Sequence, residues 1–142
     1  ITAYNFHAKY QFEGFELAGE YVTGELEQEV GGTADQEPTS WYLQGSYRFE
    51  NWEPVVRFSH VDMDGTSIIS DVDANDLIRR APDDPGTGTF DELDSWYFGM
   101  TYYLMGDDLK FQGGYEYAEA EDQTGGNDFE INGFRGRVQL LF

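Results

Sequence analysis

Ser95-Trp96-Tyr97-Phe98-Gly99-Met100-Thr101-Tyr102-Tyr103-Leu104, then Met105-Gly106-Asp107-Asp108, then Leu109-Lys110-Phe111-Gln112-Gly113-Gly114-Tyr115-Glu116-Tyr117-Ala118: this stretch decides the fold. Trp96, Phe98, Met100, Tyr102 and Leu104 alternate with Ser95, Tyr97, Gly99, Thr101 and Tyr103. After a short polar break, Leu109, Phe111, Gly113, Tyr115 and Tyr117 alternate with Lys110, Gln112, Gly114, Glu116 and Ala118. A period of two over so many residues is the pattern of a strand with two different faces. Two such strands joined by a tight turn make an antiparallel hairpin.

The same pattern extends in both directions. Strands are expected near 3–12, 15–23, 40–49, 54–62, 95–104, 109–118 and 129–142, with the phase of the fourth undecided after His60. No helix is expected. Abundant aromatics (10 Tyr, 11 Phe, 3 Trp) and 17 Gly favour strands with polar connections.

The connections differ in length. Glu13-Gly14, Glu50-Asn51-Trp52-Glu53 and Met105-Gly106-Asp107-Asp108 are short; 24–39, 63–94 and 119–128 are long. Tight turns at one end and long loops at the other are the pattern of an outer-membrane barrel. A soluble β-sandwich also alternates its faces, but nothing in it sorts connections by length. No run approaches the roughly 18 apolar residues of a membrane helix. The negative mean hydropathy fits a barrel strand, whose lipid-facing and water-facing residues cancel in any window.

Charge sorts by face. The net charge is −20, which argues against nucleic acid as a partner. Of the eight Lys and Arg, Lys9, Arg48, Arg57, Lys110, Arg135 and Arg137 fall on the polar faces, and Arg79 and Arg80 in the longest loop. A lipid-facing Lys or Arg costs roughly 2–4 kcal/mol at the bilayer midplane, so this is the distribution a bilayer enforces, although a sandwich also excludes charge from its core. Most acids fall in or beside the long loops, and Glu16, Glu20 and Glu116 within the polar faces. The aromatics divide into two belts: Phe12, Phe15, Phe49 and Phe142 near the turns, and Tyr21, Trp41, Trp96 and Tyr117 near the loops.

Ile1 falls inside a strand-like pattern, with no signal peptide before it, so the chain reads as a fragment or processed product. Single-chain bacterial barrels have even strand numbers. Seven strands therefore call for an odd number of additional ones upstream, from this chain or another. A hidden pair around Thr66-Ser67-Ile68-Ile69 gives nine, and one overlooked strand gives eight.

Several segments resemble the phosphate-selective porin O/P family. They are the hairpin Tyr10–Tyr21, Trp52–Ser59, Trp96–Tyr103, Leu109–Tyr117 and the ending Phe134–Phe142. Phe142, preceded by apolar residues at every second position, also resembles the general recognition signal for barrel insertion. The resemblance covers most of the chain except the long loops. It implies an all-β transmembrane antiparallel barrel of sixteen strands, usually trimeric, conducting small solutes. Residues 1–142 would be its last seven strands, the C-terminal part of one barrel domain. Phosphate selectivity in the family depends largely on cations in constrictions, many of them upstream of this stretch. The acidic loops depart from a phosphate funnel.

The expected function is passive diffusion of small hydrophilic solutes, including anions such as phosphate. Lys9, Arg48, Arg57, Lys110, Arg135 and Arg137 would line the pathway. A row of cations lowers the cost of a partly dehydrated anion in a pore; the bland reading is that Glu16, Glu20 and Glu116 pair with them to hold the wall together. By default the loop 63–94 lies at the pore mouth; folded inward, it brings Arg79 and Arg80 to the pathway. Expected surroundings are outer-membrane lipid and lipopolysaccharide. The alternative is a structural or adhesive barrel whose acidic loops bind a partner or surface polymer.

No enzyme motif, cofactor motif or zinc spacing occurs. Asp71, Asp73, Asn75 and Asp76 resemble the opening of a calcium loop, but Asp76 stands where the Gly is needed and Pro82 where the closing Glu is needed. Asp71, Asp73 and Asp76 remain candidates for a looser calcium site. Inward Tyr42, Tyr97 and Tyr103 read as wall packing, with sugar stacking as the functional alternative.

Overall fold

A computed structural model describes residues 2–25, 36–65, 90–106, 108–123 and 125–140. Seven strands form: β1 (Thr2–Phe12), β2 (Phe15–Glu25), β3 (Thr39–Tyr47), β4 (Trp52–Asp62), β5 (Glu92–Tyr103), β6 (Leu109–Glu121) and β7 (Asp128–Leu140). All seven belong to one antiparallel sheet in the order β1-β2-β3-β4-β5-β6-β7. Among the described residues there is no helix.

Among the described residues there is one sheet, not the two of a sandwich. One face carries Phe6, Tyr10, Leu17, Tyr21, Trp41, Leu43, Val56, Trp96, Phe98, Phe111, Phe134 and Val138, all exposed. No second sheet packs on them among the described residues. A continuous apolar surface of this extent is far larger than a water-soluble monomer leaves open; hydrocarbon is the solvent that suits it. This is the aromatic face. The opposite, cationic face carries the strand Lys and Arg.

The turn end is tight. Glu13 (φ 45°) and Gly14 (φ 85°) make a two-residue hairpin with both central residues left-handed, which matches the twist of the flanking strands. Glu50 and Asn51 lie between Phe49 and Trp52, which exchange both backbone hydrogen bonds at 2.9 Å. Arg48 falls in this turn, just past the end of β3, rather than within the strand.

The loop end corrects the expectation in three ways. The expected long loop 119–128 is shorter, because the ladder continues into it: Glu119 pairs with Glu130 and Glu121 with Asp128, leaving 122–127 as connection. The phase of β4 continues unbroken, so His60 opposes Trp41 and Asp94 on the aromatic face. The acids Glu92, Asp94, Glu119, Glu121 and Asp128 are thus strand residues, on the same side as Trp96, Tyr117 and Glu130.

The cause is an inversion of polarity along each strand. Below Trp96 and Tyr117 the outward positions are apolar and the opposite ones polar. Beyond them the outward positions are acidic, while Leu93, Ala118, Ala120, Phe129 and Ile131 make the other face apolar. Phe90, at the end of the long connection, packs into that cluster. Its neighbour Asp91 is buried and accepts from the backbone N–H of Gly65 and of Gln123, both at 3.1 Å. The inversion marks where hydrocarbon stops and water begins.

Candidate functional site

The cationic face is read strand by strand through the register. Arg57 opposes Gln44 on one side and Tyr97 on the other; Tyr97 opposes Glu116. Gly99 opposes Val55 and Gly114, and Gly114 opposes Arg135. Gln112 opposes Thr101 and Arg137. Alternation therefore brings Arg57, Arg135 and Arg137 from β4 and β7 around the β5–β6 hairpin. Together with Tyr97, Gln112 and Gly136 they line an open hollow of about 590 Å³.

The six sequence-expected cations are not equivalent. Lys9 is ion-paired to Glu16 at 2.9 Å, and Arg135 to Glu116 at 2.7 Å. These two follow the wall-holding alternative. Arg48 stacks on the Tyr103 ring, 3.8 Å from its centroid, and Lys110 approaches the same ring at 5.7 Å. The Arg57 guanidinium lies 5.6 Å from the Tyr97 centroid, and its Nε is buried with no hydrogen-bond partner among the described residues. Among those residues no carboxylate is ion-paired with Arg57, Lys110 or Arg137. Aromatic rings attract a cation without cancelling its charge. The face thus keeps net positive groups near the hollow.

A second hollow at the turn end, about 450 Å³, is lined by Glu16, Ser46, Arg48, Glu53 and Tyr103 among others. Glu53 is a strand residue here rather than part of a turn. It accepts from Ser46 Oγ at 2.9 Å and from the Tyr103 hydroxyl. Of the inward tyrosines, Tyr97 and Tyr103 lie against wall groups, as packing demands.

Arg79, Arg80, Asp71, Asp73, Asp76, the Thr66–Ile69 stretch and Phe142 lie outside the described residues. Alternation does not reveal the pairing of His60 Nδ1 with Asp94 Oδ1 at 2.7 Å, because it leaves the phase of β4 undecided past His60. Ser59 precedes His60 and so faces the other side of the sheet. Glu119 lies beyond Tyr117, outside the span.

The model of the family described as phosphate-selective porin O and P matches residues 2–142. The chain belongs to that family. Comparison with curated proteins gave no match, and comparison with solved structures gave none. This is a porin of the bacterial outer membrane, and membership accounts for both faces of its sheet. The porin's aromatic face suits lipid.

Proposed function

We propose that this porin passes small hydrophilic solutes by diffusion, with a lumen that favours anions. Its seven strands are the C-terminal part of a sixteen-stranded, trimeric barrel, with lipid against the aromatic face and the cationic face lining the lumen. Arg57 and Arg137 are the principal pathway residues. Lys110 and Arg48 supply positive charge nearer the turns, and Lys9 and Arg135 chiefly hold the wall. The observation that carries this reading is the buried, unpaired Nε of Arg57 beside a hollow shared with Arg137. A cation held by an aromatic ring rather than a carboxylate keeps its field for a passing anion.

Planar-bilayer recording of the full-length chain under a salt gradient tests this. Replacing Lys9, Arg48, Arg57, Lys110, Arg135 and Arg137 with Gln shifts the reversal potential toward cation preference. An unchanged potential overturns the anion reading. A folded barrel that passes no current overturns the pore and favours an adhesive role for the acidic loops.

A further inference from the structure

Tyr97 does not stand off the sheet as strand side chains normally do. Its phenol end lies over two glycines at once. A Cβ added to Gly99 would come 2.5 Å from Tyr97 Cε1, and one added to Gly114 would come 2.5 Å from Cζ and from the hydroxyl oxygen. Gly99 and Gly114 are direct partners across the β5–β6 ladder, so together they make one bare patch two strands wide. Glycine inside a strand weakens it and often marks a close approach. Here the approaching group is an aromatic ring, which restores packing that the glycines lack. The same ring faces Arg57, its partner in the β4–β5 ladder.

We infer that Tyr97 is a positioning residue for solute selection, held flat by the Gly99–Gly114 pair so that the passage stays open and the Arg57 guanidinium keeps its place. This rests on the anion-favouring lumen proposed above. Any side chain at either glycine displaces the phenol toward the hollow lined by Arg57 and Arg137. The ring is the movable partner, since it ends a two-torsion side chain, whereas the glycines are fixed in ladders on both sides. Steric change at the glycines therefore acts on conduction through Tyr97, without contact between the glycines and the solute.

The test uses the full-length chain in planar bilayers, reading single-channel conductance and reversal potential. Gly114→Ala lowers conductance and moves the reversal potential toward cations. The double variant Tyr97→Ala/Gly114→Ala regains the conductance, because the ring is gone, but not the anion preference. Tyr97→Phe keeps both readouts near the parent, whereas Tyr97→Ala alone loses anion preference. The Tyr97 comparison stands even where Gly114→Ala fails to insert. Parental behaviour of Gly114→Ala, or equal potentials for Tyr97→Phe and Tyr97→Ala, overturns the inference. Arg57→Gln separates the two proposals. If it leaves the potential unchanged, the inference falls because Arg57 does not select, while the anion reading falls only if the sixfold Gln variant is unchanged too; if it shifts the potential while the Tyr97 and glycine variants do not, only the role of Tyr97 falls.

Discussion

Phe90 stands edge-on to Phe129, with ring centroids 4.6 Å apart and planes at 86°. The edge of one ring meets the face of the other, the arrangement that aromatic quadrupoles prefer. Beneath them Ile131 is wholly buried. Phe90→Ala opens a cavity over Ile131 and costs about 3 kcal/mol, the lower part of the range for such truncations. Denaturant titration of the protein folded in lipid vesicles checks this, and a parental midpoint would show that Phe90 does not hold the cluster.

Val55 and Val56 are neighbours in sequence that face opposite ways, which makes them a direct probe of the bilayer. Val56 is exposed on the aromatic face beside Phe98. Val56→Arg costs about 2–4 kcal/mol if it meets the middle of the hydrocarbon. Val55→Arg faces the opposite side, beside Ser46 and Gly99, and costs far less. Folding titrations into vesicles give both numbers. Equal costs would contradict the assignment of lipid to the aromatic face.

The first turn allows no side chain at Gly14. Its φ is 85°, and a Cβ there would sit 2.6 Å from the Arg48 carbonyl oxygen. The Gly14 carbonyl meanwhile accepts from the Arg48 N–H at 2.7 Å, so the two backbones cannot separate without losing that bond. Gly14→Ala costs more than the roughly 1 kcal/mol of a simple left-handed penalty. The check is a lower folded fraction at fixed denaturant, alongside Gly106→Ala. Gly106 has φ 60° but nothing within 4 Å of an added Cβ, and it suffers only the conformational penalty.

Most of the sheet was legible in the sequence, because a bilayer imposes strict alternation between the two aromatic belts. Phe98, Tyr115 and Phe134 fell on one face and Arg57, Gln112 and Arg135 on the other, as alternation requires. Legibility failed past Tyr117. There Glu119, Glu121 and Asp128 carry the charge of a loop, yet they are paired in the ladder, Glu119 with Glu130. The apolar positions beside them, Ala118, Ala120, Phe129 and Ile131, lie on the other face, and alternation with inverted sign looks like a strand ending. Of the candidate site, the face of each cation was legible from its parity. Which cations are paired was not, because Lys9–Glu16 and Arg135–Glu116 depend on cross-strand register. The flat Tyr97 was also hidden: Gly99 and Gly114 are far apart in sequence, and only the ladder puts them side by side.

The carboxylate of Asp91 joins segments from two separate connections. One oxygen holds the Gly65 amide and the other the Gln123 amide, while the Asp91 backbone links to Met63 and Glu121. The rims of two neighbouring connections therefore share a single clasp. A displacement of either rim is therefore transmitted to the other through Asp91, by its carboxylate and its backbone together.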